Sequence, residues 1–179
     1  LALGRIGATD LFEWRGPGQL VPARYRLRIE SGDGTLSERF DPYCFPPLLA
    51  DEDLDRFNAG LHTSAYQFMG SHQITVDGIA GIRFAVWAPE AERVSIVGDF
   101  NQWDGRCHPM RVRGSSGVWE LFVPGLTTTI YKYEIRNRAS GAVQVKSDPY
   151  GQRFELRPAT AACVPPPPAH AWSDGDWLA

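Results

Sequence analysis

Val97-Gly98-Asp99-Phe100-Asn101-Gln102-Trp103-Asp104-Gly105 gathers one indole, an Asn, a Gln and two Asp within a single short stretch. That combination suits a sugar. The CH face of a pyranose stacks on an aromatic ring, and its hydroxyls take hydrogen bonds from the surrounding polar side chains. Val97-Gly98 reads as the end of a strand and the rest as a polar turn. The competing reading is a half-buried Trp that only closes the turn.

Such a turn needs strands to hold it. Phe84-Ala85-Val86-Trp87-Ala88-Pro89 lies just upstream, and short apolar runs separated by Gly, Pro, Asn and Asp recur along the chain. The pattern predicts strands near residues 82–88, 93–98, 117–123, 130–137 and 142–147 and an all-β, immunoglobulin-like β-sandwich. Trp87 and Trp119 alternate with apolar strand neighbours and read as core or interface residues. On the strand around Tyr131-Lys132-Tyr133, the two tyrosines share one face and Lys132 takes the other.

Composition bounds the function classes. The chain has 179 residues, 43% of them hydrophobic and 22% charged, with a net charge of −3. It can bury a core. It lacks the basic excess of a nucleic-acid surface and gives no support to binding at an anionic membrane. Cys44, Cys107 and Cys163 are odd in number and far apart, which suits free thiols and a cytoplasmic setting. His62, His72, His108 and His170 have no neighbouring ligand set, so no metal site is expected.

The chain also repeats itself. Leu11-Phe12-Glu13-Trp14-Arg15-Gly16-Pro17-Gly18 resembles Val118-Trp119-Glu120-Leu121-Phe122-Val123-Pro124-Gly125. Tyr25-Arg26-Leu27-Arg28-Ile29 matches Tyr131-Lys132-Tyr133-Glu134-Ile135. Ser31-Gly32-Asp33-Gly34 matches Arg138-Ala139-Ser140-Gly141, and Phe40-Asp41-Pro42-Tyr43 matches Ser147-Asp148-Pro149-Tyr150. The offset stays at 106 or 107 residues, which marks a duplicated unit. The first copy has no counterpart of residues 74–105. Residues 1–47 therefore read as the back half of a truncated first β-sandwich module, and 72–158 as a complete one. Residues 48–71 form a helical connector: acids open Asp51-Glu52-Asp53-Leu54-Asp55-Arg56-Phe57 and Asn-Ala-Gly ends it. Residues 159–179 carry a stiff Pro165–Pro168 linker followed by Trp172–Trp177.

These pieces, in this order, resemble the N-terminal region of bacterial glycogen branching enzymes. Phe84–Pro89, Val94–Asn101, Trp103-Asp104-Gly105-Arg106 with His108-Pro109-Met110, Gly117–Gly125, Tyr131–Glu134 and Lys146–Tyr150 carry the likeness. The second module is similar to the family 48 carbohydrate-binding module, and Trp172–Trp177 to the lead-in to a catalytic barrel. The resemblance implies a parent enzyme that cuts an α-1,4-glucan, holds the piece covalently and transfers it to a 6-hydroxyl. Its nucleophile and acid–base carboxyls belong to an α/β barrel of about 250 residues. This chain is therefore assigned no catalytic residue and no cofactor, and is expected to add no branch points when incubated alone with amylose. New branch points in that assay would overturn the assignment.

The same resemblance implies glucan-binding roles for Trp103, which matches a stacking position, and Lys132, which matches a lysine that reaches a sugar hydroxyl. Asn101 is the third candidate, with Asp104 read as a turn former. Related modules carry a second ring in the hairpin after the lysine strand, whereas Arg138–Gln144 holds none. The implied partners are α-1,4-glucan or glycogen and the enzyme's own barrel. Two alternatives stand beside this reading. One is a free-standing glycogen-targeting module. The other is the front of a debranching or trehalose-releasing hydrolase.

Overall fold

The computed structural model describes residues 1–9 and 11–165. Pro166–Pro168, His170 and the Trp172–Trp177 lead-in lie outside the described residues. The chain divides into two compact units, Leu1–Cys44 and Phe45–Ala179.

In the first unit β1 (Gly4–Arg5) pairs with β2 (Phe12–Glu13), and β3 (Arg26–Glu30) with β4 (Leu36–Phe40), both antiparallel. The β3–β4 turn is set by Asp33, whose carboxylate accepts the Thr35 N–H at 2.9 Å, and by Gly34 at φ +81°. Tyr25 donates its hydroxyl to Asp41 Oδ2, and the Tyr43 N–H donates to Asp41 Oδ1 at 2.9 Å. That hydrogen bond to Asp41, helped by burial, pushes the Tyr25 phenol up to about 12.

The second unit uses the same device. Ahead of its strands lies α1 (Asp51–Asn58); the strands are β5 (Gly70–Val76), β6 (Ile79–Trp87), β7 (Ala91–Gly98), β8 (Arg111–Val112), β9 (Val118–Pro124), β10 (Thr129–Asn137), β11 (Val143–Lys146), β12 (Arg153–Phe154) and β13 (Ala162–Val164). Here Tyr131 donates to Asp148 Oδ2 at 2.6 Å, and the Tyr150 N–H to Asp148 Oδ1 at 2.8 Å. Tyr25, Asp41 and Tyr43 thus occupy the same bonding roles as Tyr131, Asp148 and Tyr150. The repeat seen in the sequence is a repeat of one hydrogen-bonded lock that closes a hairpin. In the second copy Tyr133 also donates to Asp148 Oδ2, at 3.1 Å, and Asp148 is only 1% exposed.

One sheet of the sandwich runs β5-β6-β9-β8. In the other, β7 lies along one side of β10, while β11 and β13 share its opposite side and β12 lies outside β13. Apolar residues spaced two apart fill the space between the sheets: Ile82, Phe84 and Val86 of β6, Val94 and Ile96 of β7, Leu121 and Val123 of β9, and Tyr131 and Tyr133 of β10. Each such large side chain contributes about 1.5–3 kcal/mol by leaving water.

The β5-β6-β9-β8 sheet is covered on its other face too. Leu49, Leu54, Phe68 and Met69 pack against Ala85 and Val118. The segment from Phe45 to Met69 therefore serves as packing for this sheet, with α1 turned so that Leu54 is buried. Phe45 meets Phe122 edge to face, ring centroids 4.9 Å apart. A polar clasp reinforces the contact. Glu120, 2% exposed, accepts the backbone N–H groups of Leu48 at 2.5 Å and Leu49 at 3.1 Å and pairs with Arg113 at 2.5 Å. Arg113 also reaches Leu49 O and Asp51.

β5 carries Ser71, His72, Gln73 and Thr75, so its apolar content is too thin to announce a strand. As an edge strand it has to pair on one side only, with β6. Trp87 departs from its expected place. It is 52% exposed, because the last residue of β6 projects past the packed part of the sheet. Among the described residues no helix is long and apolar enough to cross a membrane.

Candidate functional site

The Trp103 turn begins where β7 ends and lies over the outer face of β10. Gly98 pairs with Tyr131, and a Cβ at Gly98 would stand 2.3 Å from Ile130 O. A Cβ at Gly105 would stand 2.2 Å from Glu134 Oε1. Glycine at these two positions lets the turn approach the sheet closely. Glu134 is itself anchored, accepting from Arg93 Nη2 at 2.6 Å across the β7–β10 pair.

A short 3-10 turn, Asp99–Asn101, leads into Gln102 at φ +57° and Trp103 at φ +60°. Two consecutive non-glycine residues in the left-handed region cost about 1–2 kcal/mol each. Several hydrogen bonds hold them there. The Gln102 N–H donates to Asp99 O at 3.2 Å, and the Trp103 N–H to Gly98 O at 2.9 Å. Trp103 Nε1 donates to Asp99 Oδ1 at 2.8 Å. The indole is thereby pinned by its edge and remains 38% exposed. A ring held in this way offers its face to a ligand at little further entropic cost.

Asn101 sits underneath. It is 8% exposed; its Oδ1 accepts the Gly98 N–H at 3.0 Å, and its Nδ2 donates to Ile96 O at 2.9 Å and faces His108 Nδ1 at 3.0 Å. His108 in turn packs edge to face on Phe100. Asn101 thus spends its polar atoms on the turn. Asp104 bonds Arg106 through both its backbone N–H and its guanidinium. Those hydrogen bonds draw its carboxyl down to about 2.

Lys132 lies opposite Val97 in the β7–β10 register and shares the outer face with Glu134, as strand alternation requires. Its ammonium donates to Thr160 Oγ1 at 2.8 Å, leaving two N–H groups for other acceptors. The turn and β10 thus place Trp103 and Lys132 on the same side of one sheet, with Asn101 as the support beneath. Two contributors carried no clear signal in the sequence. Thr160 comes from a distant loop, and Asp99 is distinguished only by standing four residues before the indole. Among the described residues no group of three or more His, Cys, Asp or Glu could hold a metal ion.

Residues 68–151 match the family model "Carbohydrate-binding module 48 (Isoamylase N-terminal domain)". The chain is 54% identical over 177 residues to the 1,4-alpha-glucan branching enzyme of Nitrosococcus oceani, covering 98% of this chain and 24% of that protein. The chain matches the N-terminal quarter of 1,4-alpha-glucan branching enzymes. The branching enzyme of Methylococcus capsulatus is 53% identical over 176 residues, with the same coverage. The chain thus spans about a quarter of the length of the branching enzymes it matches. Solved structures with a similar fold include a putative alpha amylase from Salmonella typhimurium, with a TM-score of 0.46 and 23% identity over 62% of this chain and 17% of that one. A pullulanase from Bacillus acidopullulyticus has a TM-score of 0.43 and 23% identity over 54% of this chain and 11% of that one. The family match covers the Trp103 turn, Lys132 and the Asp148 lock; in branching-enzyme terms these are features of its module 48 region.

Proposed function

We propose that this chain is the non-catalytic N-terminal part of a cytoplasmic 1,4-alpha-glucan branching enzyme, which makes α-1,6 branches in glycogen by transferring cut α-1,4-glucan segments. The observation that carries this reading is the 54% identity to such an enzyme along 98% of the chain. Within it, residues 72–158 are the carbohydrate-binding module. Residues 1–47 belong to a first β-sandwich module, joined by residues 48–71, and 159–179 form the linker toward the enzyme's barrel. The shared tyrosine–aspartate lock of the two units supports the duplication. The module supports the barrel and binds glucan weakly.

Trp103 provides the stacking ring and Lys132 a hydroxyl-directed donor. Asn101 acts through the turn that sets the indole. One ring supplies roughly 1 kcal/mol beyond area burial, so affinity for a single oligosaccharide falls in the millimolar range, about −4 kcal/mol. Trp103→Ala is expected to weaken maltoheptaose binding about five- to tenfold, measured by titration calorimetry, with folding unchanged. Equal affinities would remove Trp103 from the site.

A further inference from the structure

A second groove lies at the other end of the sandwich, where β6 runs out and the β10–β11 hairpin turns. Its volume is about 420 Å³, within the roughly 300–1,000 Å³ of small-molecule sites. Trp87 and Pro89 line it together with Glu90, Gln144 and Lys146. Trp87 rests one edge against Phe57, ring centroids 6.3 Å apart, yet half of it faces solvent. Among the described residues, Glu90, Gln144 and Lys146 have no side-chain hydrogen bond or ion pair. The exposed half of the ring thus stands beside three polar groups that the packing of the described residues does not use.

The walls are fixed. The Ala88 N–H donates to Gly117 O at 2.8 Å, the Arg138 N–H to Glu90 O at 2.9 Å, and Trp119 Nε1 to Ala88 O at 3.0 Å. Gly117, at φ +73°, lets Pro89 and Trp87 close in; a Cβ there would stand 2.9 Å from Pro89 Cβ and 3.1 Å from Trp87 Nε1. Hence the backbone that carries Trp87 and Glu90 is held in place before any ligand arrives, which lowers the entropic cost of binding.

We propose that this groove is a second α-1,4-glucan site, with Trp87 as its stacking ring and Glu90, Gln144 and Lys146 as its hydroxyl partners. The chemistry favours a neutral polyol. One carboxylate and one ammonium cancel in charge, so the groove attracts neither an anionic nor a cationic polymer. Together with the amide they offer the donors and acceptors that neighbouring sugar hydroxyls need. The choice of α-glucan rests on the proposed function. Two weak sites on one module would bind a branched polymer with an avidity that neither reaches alone.

The test is a titration of the full 179-residue chain with maltoheptaose, following the indole N–H signals of Trp87 and Trp103 by NMR. Both signals are expected to shift, with separate isotherms in the millimolar range. Trp103→Ala should leave the Trp87 isotherm in place, and Lys146→Ala and Gln144→Ala should weaken it several-fold without changing that of Trp103. Trp87→Phe, which keeps a ring against Phe57, should retain part of the glycogen affinity that Trp87→Ala loses. A Trp87 signal that stays still while Trp103 saturates would overturn this proposal and leave the Trp103 site standing. A Trp87 shift with Trp103 unmoved would do the reverse.

Discussion

Asp148→Ala is expected to destabilise the second unit by about 3 kcal/mol or more, more than any change within the Trp103 turn. The residue lies at the centre of the unit, 1% exposed, and accepts from Tyr131, Tyr133 and the Tyr150 N–H. Its removal takes the carboxylate acceptor from the Tyr131 hydroxyl, the Tyr133 hydroxyl and the Tyr150 N–H, leaving Tyr133 with Ala85 O at 3.3 Å and the neighbouring Tyr131 hydroxyl. Each buried donor left without a partner costs about 1–3 kcal/mol. Thermal unfolding should show a midpoint roughly 10 °C lower, given about 3–4 °C per kcal/mol for a unit of this size. A midpoint within a degree of the wild type would refute the role.

The pH dependence follows from the same burial. Desolvation raises the Asp148 carboxyl above its ordinary value, more than the tyrosine and backbone hydrogen bonds lower it. The folded state then holds the proton more tightly than the unfolded chain, in which the carboxyl titrates near pH 4. Stability from this group is highest below that pH and declines as the pH rises toward the folded-state value. Asp148→Asn, which keeps the shape without the titration, should lack this component of the slope. Unfolding curves recorded from pH 3.5 to 7 compare the two.

Glu120→Ala should cost about 3–5 kcal/mol, because it strips the partner from a charged group held largely out of water. Arg113, with 12% of its side chain exposed, would keep Leu49 O and the exposed Asp51. The Leu48 and Leu49 N–H groups would lose their acceptor. The damage should be local at first. Residues 45–69 pack on the β6–β9 face through Leu49, Leu54, Phe68 and Met69, and the clasp ties the first of these down. Trypsin should therefore cut at Arg56 well before the unit unfolds globally, while Glu120→Gln, which keeps an acceptor oxygen, should be intermediate. An unchanged cleavage rate in Glu120→Ala would show that the apolar contacts suffice alone.

Much of this molecule is written in short-range patterns. Alternation along Tyr131-Lys132-Tyr133 assigns the tyrosines to the core and Lys132 to the outer face. The spacing of Tyr25 and Asp41 against Tyr131 and Asp148 reveals the duplicated hairpin, because each lock joins residues close in sequence. The turn at Trp103 is legible for the same reason: Asp99, Asn101 and the indole lie within five positions.

Tertiary structure decided the rest. Asn101 is an amide whose type fits either a sugar or a turn, and only the position of Ile96 O and His108 shows that it faces inward. Glu120 reads as an ordinary strand acid. Its partners are backbone N–H groups more than 70 residues away, and every non-proline residue carries such a group, so the pairing leaves no trace in side-chain types. Trp87 stands in an apolar run but emerges half into water, because strand periodicity assigns a face without saying where the opposing layer stops. The sequence by itself determined β6, β7, β9, β10 and β11, the repeated motifs, the likeness to branching enzymes and the place of the indole in the Trp103 turn, since local pattern governs each. Which polar groups are spent on the fold and which remain free for a ligand depends on contacts between distant segments, and only the folded chain brings those together.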